Sequence, residues 1–142
     1  MVERGCADSD PVNAKEFSER LWDFAADVAR IVESIPDTRV GRHVAGQLIR
    51  SGTSSAPNYD EACDAESRKD FAHKLAIAAK EMRESSGWLR FLIKLKLVPR
   101  QQVDPLLDES IELRKISGAL SKHYEPAPIL LLPIQISMSN EQ

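Results

Sequence analysis

The sequence has little cysteine, glycine or aromatic side chain, and these shortages narrow the kinds of protein it can be. Its 142 residues include two cysteines, Cys6 and Cys63, which form no CxxC pair. A zinc site or a disulfide is therefore not expected, and both cysteines are interpreted as reduced thiols. No apolar run approaches the roughly 18 residues of a membrane-spanning helix, and the acidic start MVERGCADSD is unlike a signal peptide. The expectation is a soluble cytoplasmic protein that does not enter a membrane.

Sequence motifs of common enzymes are also missing. The chain contains no GxGxxG, P-loop, GxSxG or HExxH pattern. His43, His73 and His123 have no metal-type spacing with one another or with Cys63. The Glu-x-x-His pairs of di-metal helix bundles are not found at Glu61. The sequence therefore predicts a protein that is not an enzyme and that binds no cofactor or metal ion.

Amphipathic helical periodicity dominates the rest of the sequence. Apolar residues recur every three or four positions from Phe17 to Ile35, and similar patterns follow along three later stretches. Ser67 followed by Asp70 is typical of a helix start, and Pro99 is typical of a helix stop. The predicted helices cover residues 14–35, about 39–65, from after Ser67 to about 98, and about 103–124.

Four helices with short connections predict one all-α domain, an antiparallel up-down four-helix bundle over residues 13–125. Pro105 is expected in or near the first turn of the fourth helix, where a proline is tolerated. Residues 1–12 are expected to be a disordered N-terminus. The tail over residues 126–142 contains prolines among apolar residues. It is interpreted as an extended arm that docks on a neighbouring subunit or a partner protein, or else as a disordered segment.

The stretch GTSSAPNY, residues 52–59, places a proline within helical sequence. If Pro57 ended the second helix, the loop after it would contain nine residues and no glycine, whereas connections in bundles run roughly 2 to 8 residues. A proline-kinked second helix is therefore predicted, with nearby hydroxyl groups bonding to freed backbone groups. The densest polar cluster suits an acid/base site or a structural network at the kink, and the network is the preferred interpretation; the cluster is Asn58, Tyr59, Asp60, Glu61 and Cys63. The residues assigned to the kink and its polar network are Thr53, Pro57, Asn58, Tyr59 and Glu61.

Residues 50–92, RSGTSSAPNYDEACDAESRKDFAHKLAIAAKEMRESSGWLRFL, resemble a known family. The family is that of four-helix bundle proteins found as reading frames within intervening sequences of bacterial 23S ribosomal RNA genes. The resemblance is carried by the elements RSGTS, NYxEA, KLxIAxKE and WL, and a looser similarity extends over about residues 15–124. Two positions depart from the family pattern: Pro57 stands where the family has alanine, and Gly87 stands where it has an aromatic residue before Trp88.

The resemblance implies a bundle that assembles as a ring, commonly a homopentamer, with no known catalytic activity. A related protein, the accessory protein of diversity-generating retroelements, looks like a basic pentameric barrel that binds reverse transcriptase and nucleic acid. The partners that the resemblance implies are further copies of this chain, RNA or DNA, and a reverse transcriptase or other protein.

The third predicted helix has a second apolar stripe beside its core-facing side. On a helical wheel with about 100° per residue, the four residues of this stripe span roughly 60°, on the side of the helix away from Phe71, Leu75 and Met82. One bundle core covers only one of these two sides, so the stripe is interpreted as a contact between subunits. The alternative is that helix ends, loops or the tail cover it within one chain. The stripe consists of Ile77, Trp88, Phe91 and Leu95.

A third stripe on the same helix is basic. Residues 68–100 hold nine basic and three acidic residues, whereas the net charge of the whole chain is −3. Five of these cations lie within about 80° of one another on the helical wheel. They are interpreted as a track for the phosphates of nucleic acid, with pairing to acidic residues of the first and fourth helices as the alternative. The five residues are Lys69, Lys80, Arg83, Arg90 and Lys94.

Two functions therefore remain open from the sequence. The first is a ring-forming adaptor that binds nucleic acid, chiefly RNA, or a nucleic-acid enzyme such as a reverse transcriptase. The second is a purely structural homo-oligomer or protein-interaction scaffold that binds no nucleic acid.

Overall fold

The computed structural model of the protein describes residues 13–122. This part of the chain is helical and contains no β-strand, so the predicted all-α class is confirmed. The helices are α1 Ala14–Ser34, α2 Arg39–Gly52, α3 Ser55–Cys63, α4 Arg68–Leu95 and α5 Arg100–Lys122. Together α2 and α3 occupy the place of the second predicted helix, so the described chain forms four helical rods. The predicted termini, residues 1–12 and 126–142, lie outside the described residues, as do residues 123–125.

Side-chain caps mark where three of the helices begin. The Thr38 hydroxyl accepts a hydrogen bond from the Gly41 amide at 3.0 Å before α2, and the Ser67 hydroxyl accepts one from the Asp70 amide at 3.1 Å before α4. Asn13 caps α1 through its side-chain oxygen in the same way. Each bond satisfies a first-turn amide that has no partner within its own helix, and this explains why the chain becomes helical at these points.

Each helical rod packs mainly on two others. Helix α1 contacts the α2–α3 rod and α5, and α4 contacts the same two rods, so α1 and α4 lie diagonally across the core.

No helix between residues 13 and 122 combines the length and apolar character needed to cross a membrane. The alternating up-and-down direction of the rods stays a prediction. The largest fully buried side chains of the core are Phe17, Leu21, Phe24, Val28, Val44, Leu48, Leu75, Met82, Leu89, Leu92, Val103 and Leu113.

The second rod is interrupted before its proline. Helix α3 begins at Ser55, which places Pro57 in the first turn of α3, where an amide hydrogen would have no partner within the helix in any case. In the two-residue break, the Thr53 hydroxyl donates to the Ile49 carbonyl oxygen at 2.6 Å. The break is thus supported by a side chain that bonds to the preceding turn. A bend of the rod at Pro57 stays a prediction.

A close approach between α1 and α2 occurs at Gly52. A β-carbon placed on Gly52 would lie 2.7 Å and 2.8 Å from the two methyl carbons of Val28. Carbon atoms in contact normally lie about 3.5–4.0 Å apart. The fully buried Val28 therefore fills the space that any side chain at this position would need, and the absence of a side chain lets the two helices meet.

Buried serines line both flanks of α4. On one flank the Ser85 hydroxyl donates to the Ser51 hydroxyl of α2 at 3.0 Å. On the other flank the hydroxyls of Ser86 and of Ser110 in α5 lie 2.7 Å apart. These side chains are small and each is hydrogen-bonded, so α4 packs closely on both neighbours while the buried oxygens keep partners.

Three details of this region differ from the sequence-based expectations. Helix α4 ends at Leu95, short of the predicted residue 98, because Lys96 adopts the left-handed backbone conformation with φ 57°, and a right-handed helix does not continue through that conformation. Cys63 is disulfide-bonded, so its interpretation as a reduced thiol is wrong. Spacing along a sequence does not show which thiols meet in the fold. Helix α5 begins at Arg100, about three residues before the predicted start, so Pro105 is its sixth residue and lies inside the helix, past the first turn.

Candidate nucleic-acid interface

The outward side of α4 is the candidate site. Helix α4 packs on α2 and α3 with one flank and on α5 with the other, and the strip between these flanks faces solvent. The five cations predicted to bind phosphate lie on this strip, and all five are exposed. At about 1.5 Å per residue, the strip extends roughly 37 Å along the helix. We call it the cationic strip: Lys69, Lys80, Arg83, Arg90 and Lys94.

None of the five side chains of the cationic strip forms an ion pair with another residue of the described range 13–122. The alternative interpretation required acidic residues of the first and fourth helices to neutralise the strip, and the described bundle shows no such contact. Unpaired, exposed cations leave their charge available to a polyanion. Cations elsewhere in the described bundle do form ion pairs, among them Arg20, Arg30, Arg42, Arg50, Lys74, Arg100 and Lys115.

The acidic residues of α4 do not neutralise the strip either. The helix contains seven basic and three acidic residues. Two of the acids, Glu81 and Glu84, bind Arg50 of α2, with the Arg50 nitrogen 3.2 Å from the Glu81 carboxylate. The hydrogen bond to Glu84, together with the charge of Glu81, raises the pKa of Arg50 above its ordinary value. Lys74, off the strip, binds Glu61 of α3 at 2.6 Å. Glu81, Glu84 and Lys74, on the flank toward α2 and α3, therefore form ion pairs, whereas the cations of the cationic strip do not.

The rod opposite α4 has the opposite charge. Helix α1 holds three basic and five acidic residues and lies diagonally across the core from α4. One of its cations, Arg20, is already bound to Glu109 of α5 by hydrogen bonds of 3.0 Å and 2.9 Å, and this hydrogen bonding raises the pKa of Arg20. Among the described residues, α4 therefore has an excess of positive charge and α1 an excess of negative charge.

The predicted subunit-contact residues border the cationic strip on the side toward α2. Trp88 is half-buried, and its ring lies edge-on to His43 of α2 at 5.7 Å and to Phe91 at 6.0 Å. Ile77 and Leu95 are also half-buried, while Phe91 is 39% exposed. The bundle thus covers this apolar stripe only in part.

The polar residues near the helix break are not gathered into a single site. Tyr59 is buried in the core, with its ring 4.7 Å from that of Phe17. Glu61 is exposed and bound by Lys74, and the Asn58 side chain donates to a main-chain oxygen of the preceding turn at 2.7 Å. Thr53 and Pro57 belong to the break itself. These side chains contact the core, the surface and the backbone separately.

Asp60 is a polar residue whose role sequence reasoning missed. Its carboxylate accepts hydrogen bonds from the Ser18 hydroxyl at 2.5 Å and from the Trp22 indole nitrogen at 2.9 Å, and so fastens α1 to α3. Helical periodicity identifies core positions and gives no signal for a bond at the margin of the core. Within residues 13–122, no group of three or more histidine, cysteine or acidic side chains is placed to hold a metal ion.

Together, these features define a helical-bundle protein with one basic outer side. The chain belongs to the 23S rRNA-intervening sequence protein family, whose family model matches residues 16–119. Among solved structures it is similar to a protein of unknown function from the S23 ribosomal protein family of Bacteroides thetaiotaomicron VPI-5482. The two chains are 30% identical, with a TM-score of 0.71, and the match covers 77% of this chain and 97% of that one. A comparison with curated proteins found no match.

Proposed function

We propose that the protein is a non-enzymatic, ring-forming adaptor that binds nucleic acid, chiefly RNA, through the cationic strip of α4. The observation that carries the proposal is that the five cations are exposed and unpaired within the described bundle, while Arg50 occupies the neighbouring acids Glu81 and Glu84. Such cations bind phosphates and release their counterions. No base-reading motif accompanies the strip, so binding is expected to depend weakly on sequence.

Assembly of several copies of the chain into a ring would bring one cationic strip from each subunit into the same particle. We propose that copies of the chain contact one another through the apolar stripe centred on Trp88, which one bundle covers only in part. Repeating the strip around a ring raises the positive potential above that of one copy. A homopentamer is the ring size that the sequence resemblance implies.

A nucleic-acid enzyme, such as a reverse transcriptase, is a further proposed partner, which the ring would bring to the bound strand. This function belongs in the cytoplasm.

A salt titration of RNA binding, followed by fluorescence anisotropy, tests the proposed function. For single-stranded RNA the slope of log K against log salt changes by about 0.7 for each phosphate contact, so the double variant Arg83→Gln, Arg90→Gln should make it shallower by about 1.4. The double variant Arg30→Gln, Arg42→Gln is the matched control, because these exposed arginines already pair with neighbouring aspartates. Lack of binding to RNA and DNA at low salt would leave the structural homo-oligomer as the function.

Light scattering tests the proposed assembly. Trp88→Asp places a charge in the apolar stripe and should dissociate the oligomer, since burying an unpaired carboxylate is costly. Ala26→Asp, at an exposed position of α1, is the matched control and should leave the mass unchanged. A Trp88→Asp protein with the mass of the wild type would refute this contact.

A further inference from the structure

Gly87 leaves a gap in the cationic strip. A β-carbon built on Gly87 would meet no neighbouring atom within 4 Å, so there is open space beside the backbone at this point. Arg83 lies four residues before Gly87, and Arg90 and Phe91 lie three and four residues after it. Residues at these spacings are neighbours on a helix surface. The gap is therefore bordered by two unpaired guanidinium groups and one aromatic ring.

Phe91 borders this gap with a ring that is supported from one side. Long side chains on a helix lean toward its N-terminal end, so Phe91 is expected to lie over the turn that contains Gly87. Trp88 packs against Phe91 with 68° between the ring planes, and His43 of α2 packs against Trp88. Even so, 39% of Phe91 stays exposed. A ring that is already supported loses little freedom when a second flat group stacks on it.

We propose that Phe91 is a base-stacking residue and that the cationic strip prefers single-stranded nucleic acid to duplex. This proposal rests on the proposed function. A base would enter the gap at Gly87 and stack on Phe91, while the cations beside it bind the flanking phosphates. Every base has a flat face, so such stacking tolerates any sequence. In a duplex those faces are covered by neighbouring base pairs, and mainly the phosphates and groove edges remain within reach.

This assignment moves Phe91 out of the predicted subunit contact. On the helical wheel Phe91 lies about 20° from Lys80 of the strip, whereas the other three residues of the apolar stripe lie about 60–80° from it. Phe91 is also the member of that stripe that the bundle leaves exposed. Ile77, Trp88 and Leu95 lie closer to α2 and remain the proposed contact between subunits.

Anisotropy titrations with single strands and duplexes of equal length, in RNA and in DNA, test the proposal. Phe91→Ala should weaken single-strand binding about 5- to 150-fold, as expected for one stacked base. Its effect on duplex binding should stay below about twofold, because phosphate contacts dominate there. Phe91→Tyr keeps a ring and should bind like the wild type. Gly87→Leu places a side chain in the gap, where its Cβ would meet no neighbouring atom within 4 Å, and should weaken single-strand binding as Phe91→Ala does. Val40→Ala, at an exposed apolar position of α2, is the matched control.

The outcomes separate this proposal from the proposed function. If the wild type binds neither single strands nor duplexes at low salt, the proposed function fails and the stacking proposal fails with it. If the wild type binds nucleic acid but Phe91→Ala leaves the ratio of the two affinities unchanged, the strip binds phosphates and Phe91 does not stack. Phe91→Ala should also keep the oligomeric mass of the wild type in light scattering, and a loss of mass would overturn the assignment.

Discussion

Replacing Gly52 with alanine should destabilise the protein, although alanine is the better helix former. Gly52 is the last residue of α2 and faces Val28 of α1. The new methyl group would lie 2.7 Å and 2.8 Å from the methyl carbons of Val28 and 3.1 Å from its Cβ. The contact is between a backbone-fixed atom and a fully buried side chain, so one of the two helices has to move.

The expected magnitude follows from two opposing effects. Alanine in place of glycine within a helix favours folding by about 1 kcal/mol. Overpacking a core costs about 1–3 kcal/mol. The upper end of that range applies here, because a valine in a helix has essentially one side-chain rotamer and cannot turn away. The net loss in the free energy of unfolding is therefore about 2 kcal/mol.

Urea unfolding followed by circular dichroism measures this loss. Gly46→Ala is the matched control, because a β-carbon at Gly46 in the same helix meets nothing within 4 Å, and this variant should gain up to about 1 kcal/mol. Adding Val28→Ala to Gly52→Ala removes the conflicting methyl groups, so the two changes should be clearly non-additive. A Gly52→Ala protein at least as stable as the wild type would show that α1 and α2 are not in tight contact at this point.

Two further predictions concern hydrogen bonds between the rods. Asp60→Ala should cost about 1.5 kcal/mol and shift the fluorescence of Trp22, because both Trp22 and Ser18 lose a charged acceptor; unchanged stability and emission would contradict the link between α1 and α3. Arg20→Gln should cost less than about 1 kcal/mol in urea unfolding, with the difference shrinking at high salt, because its bridge to Glu109 is partly exposed. The raised pKa of Arg20 means that this contribution is fully present at neutral pH and is lost only as the pH rises above the ordinary arginine range. A loss of stability that does not respond to salt would count against this origin.

The helices could be predicted because their signals are local. Apolar spacing identifies the buried side of α1, and the cap at Ser67 places the start of α4 correctly. The break in the second rod could be predicted only in part. Pro57 lacks the amide hydrogen that would bond to the Thr53 carbonyl four residues earlier, so a disturbance near Thr53 is visible in the sequence. That both Thr53 and Ser54 leave the helix is seen only in the structure.

The buried side of α4 was predicted too narrowly. Leu92 and Ser85 are buried although neither lies on the predicted core-facing side, and Phe71, which does lie on that side, is only half-buried. The reason is that α4 packs on two rods, and a wheel drawn for one helix does not show where its neighbours lie. The clustering of cations on α4 is likewise visible from spacing alone. Whether acidic side chains reach those cations depends on residues such as Arg50, which another helix supplies.

The diagonal arrangement of α1 and α4 has a consequence for encounters in solution. With an excess of negative charge on one rod and of positive charge on the other, the molecule has an electric dipole across its short axis. Within a Debye length of about 8–10 Å, the electric field of a polyanion would orient each approaching molecule. Helix α4 would then face the polyanion and α1 would face away from it. Molecules bound side by side on one strand would then share a single orientation and show an anionic exterior that repels a second strand.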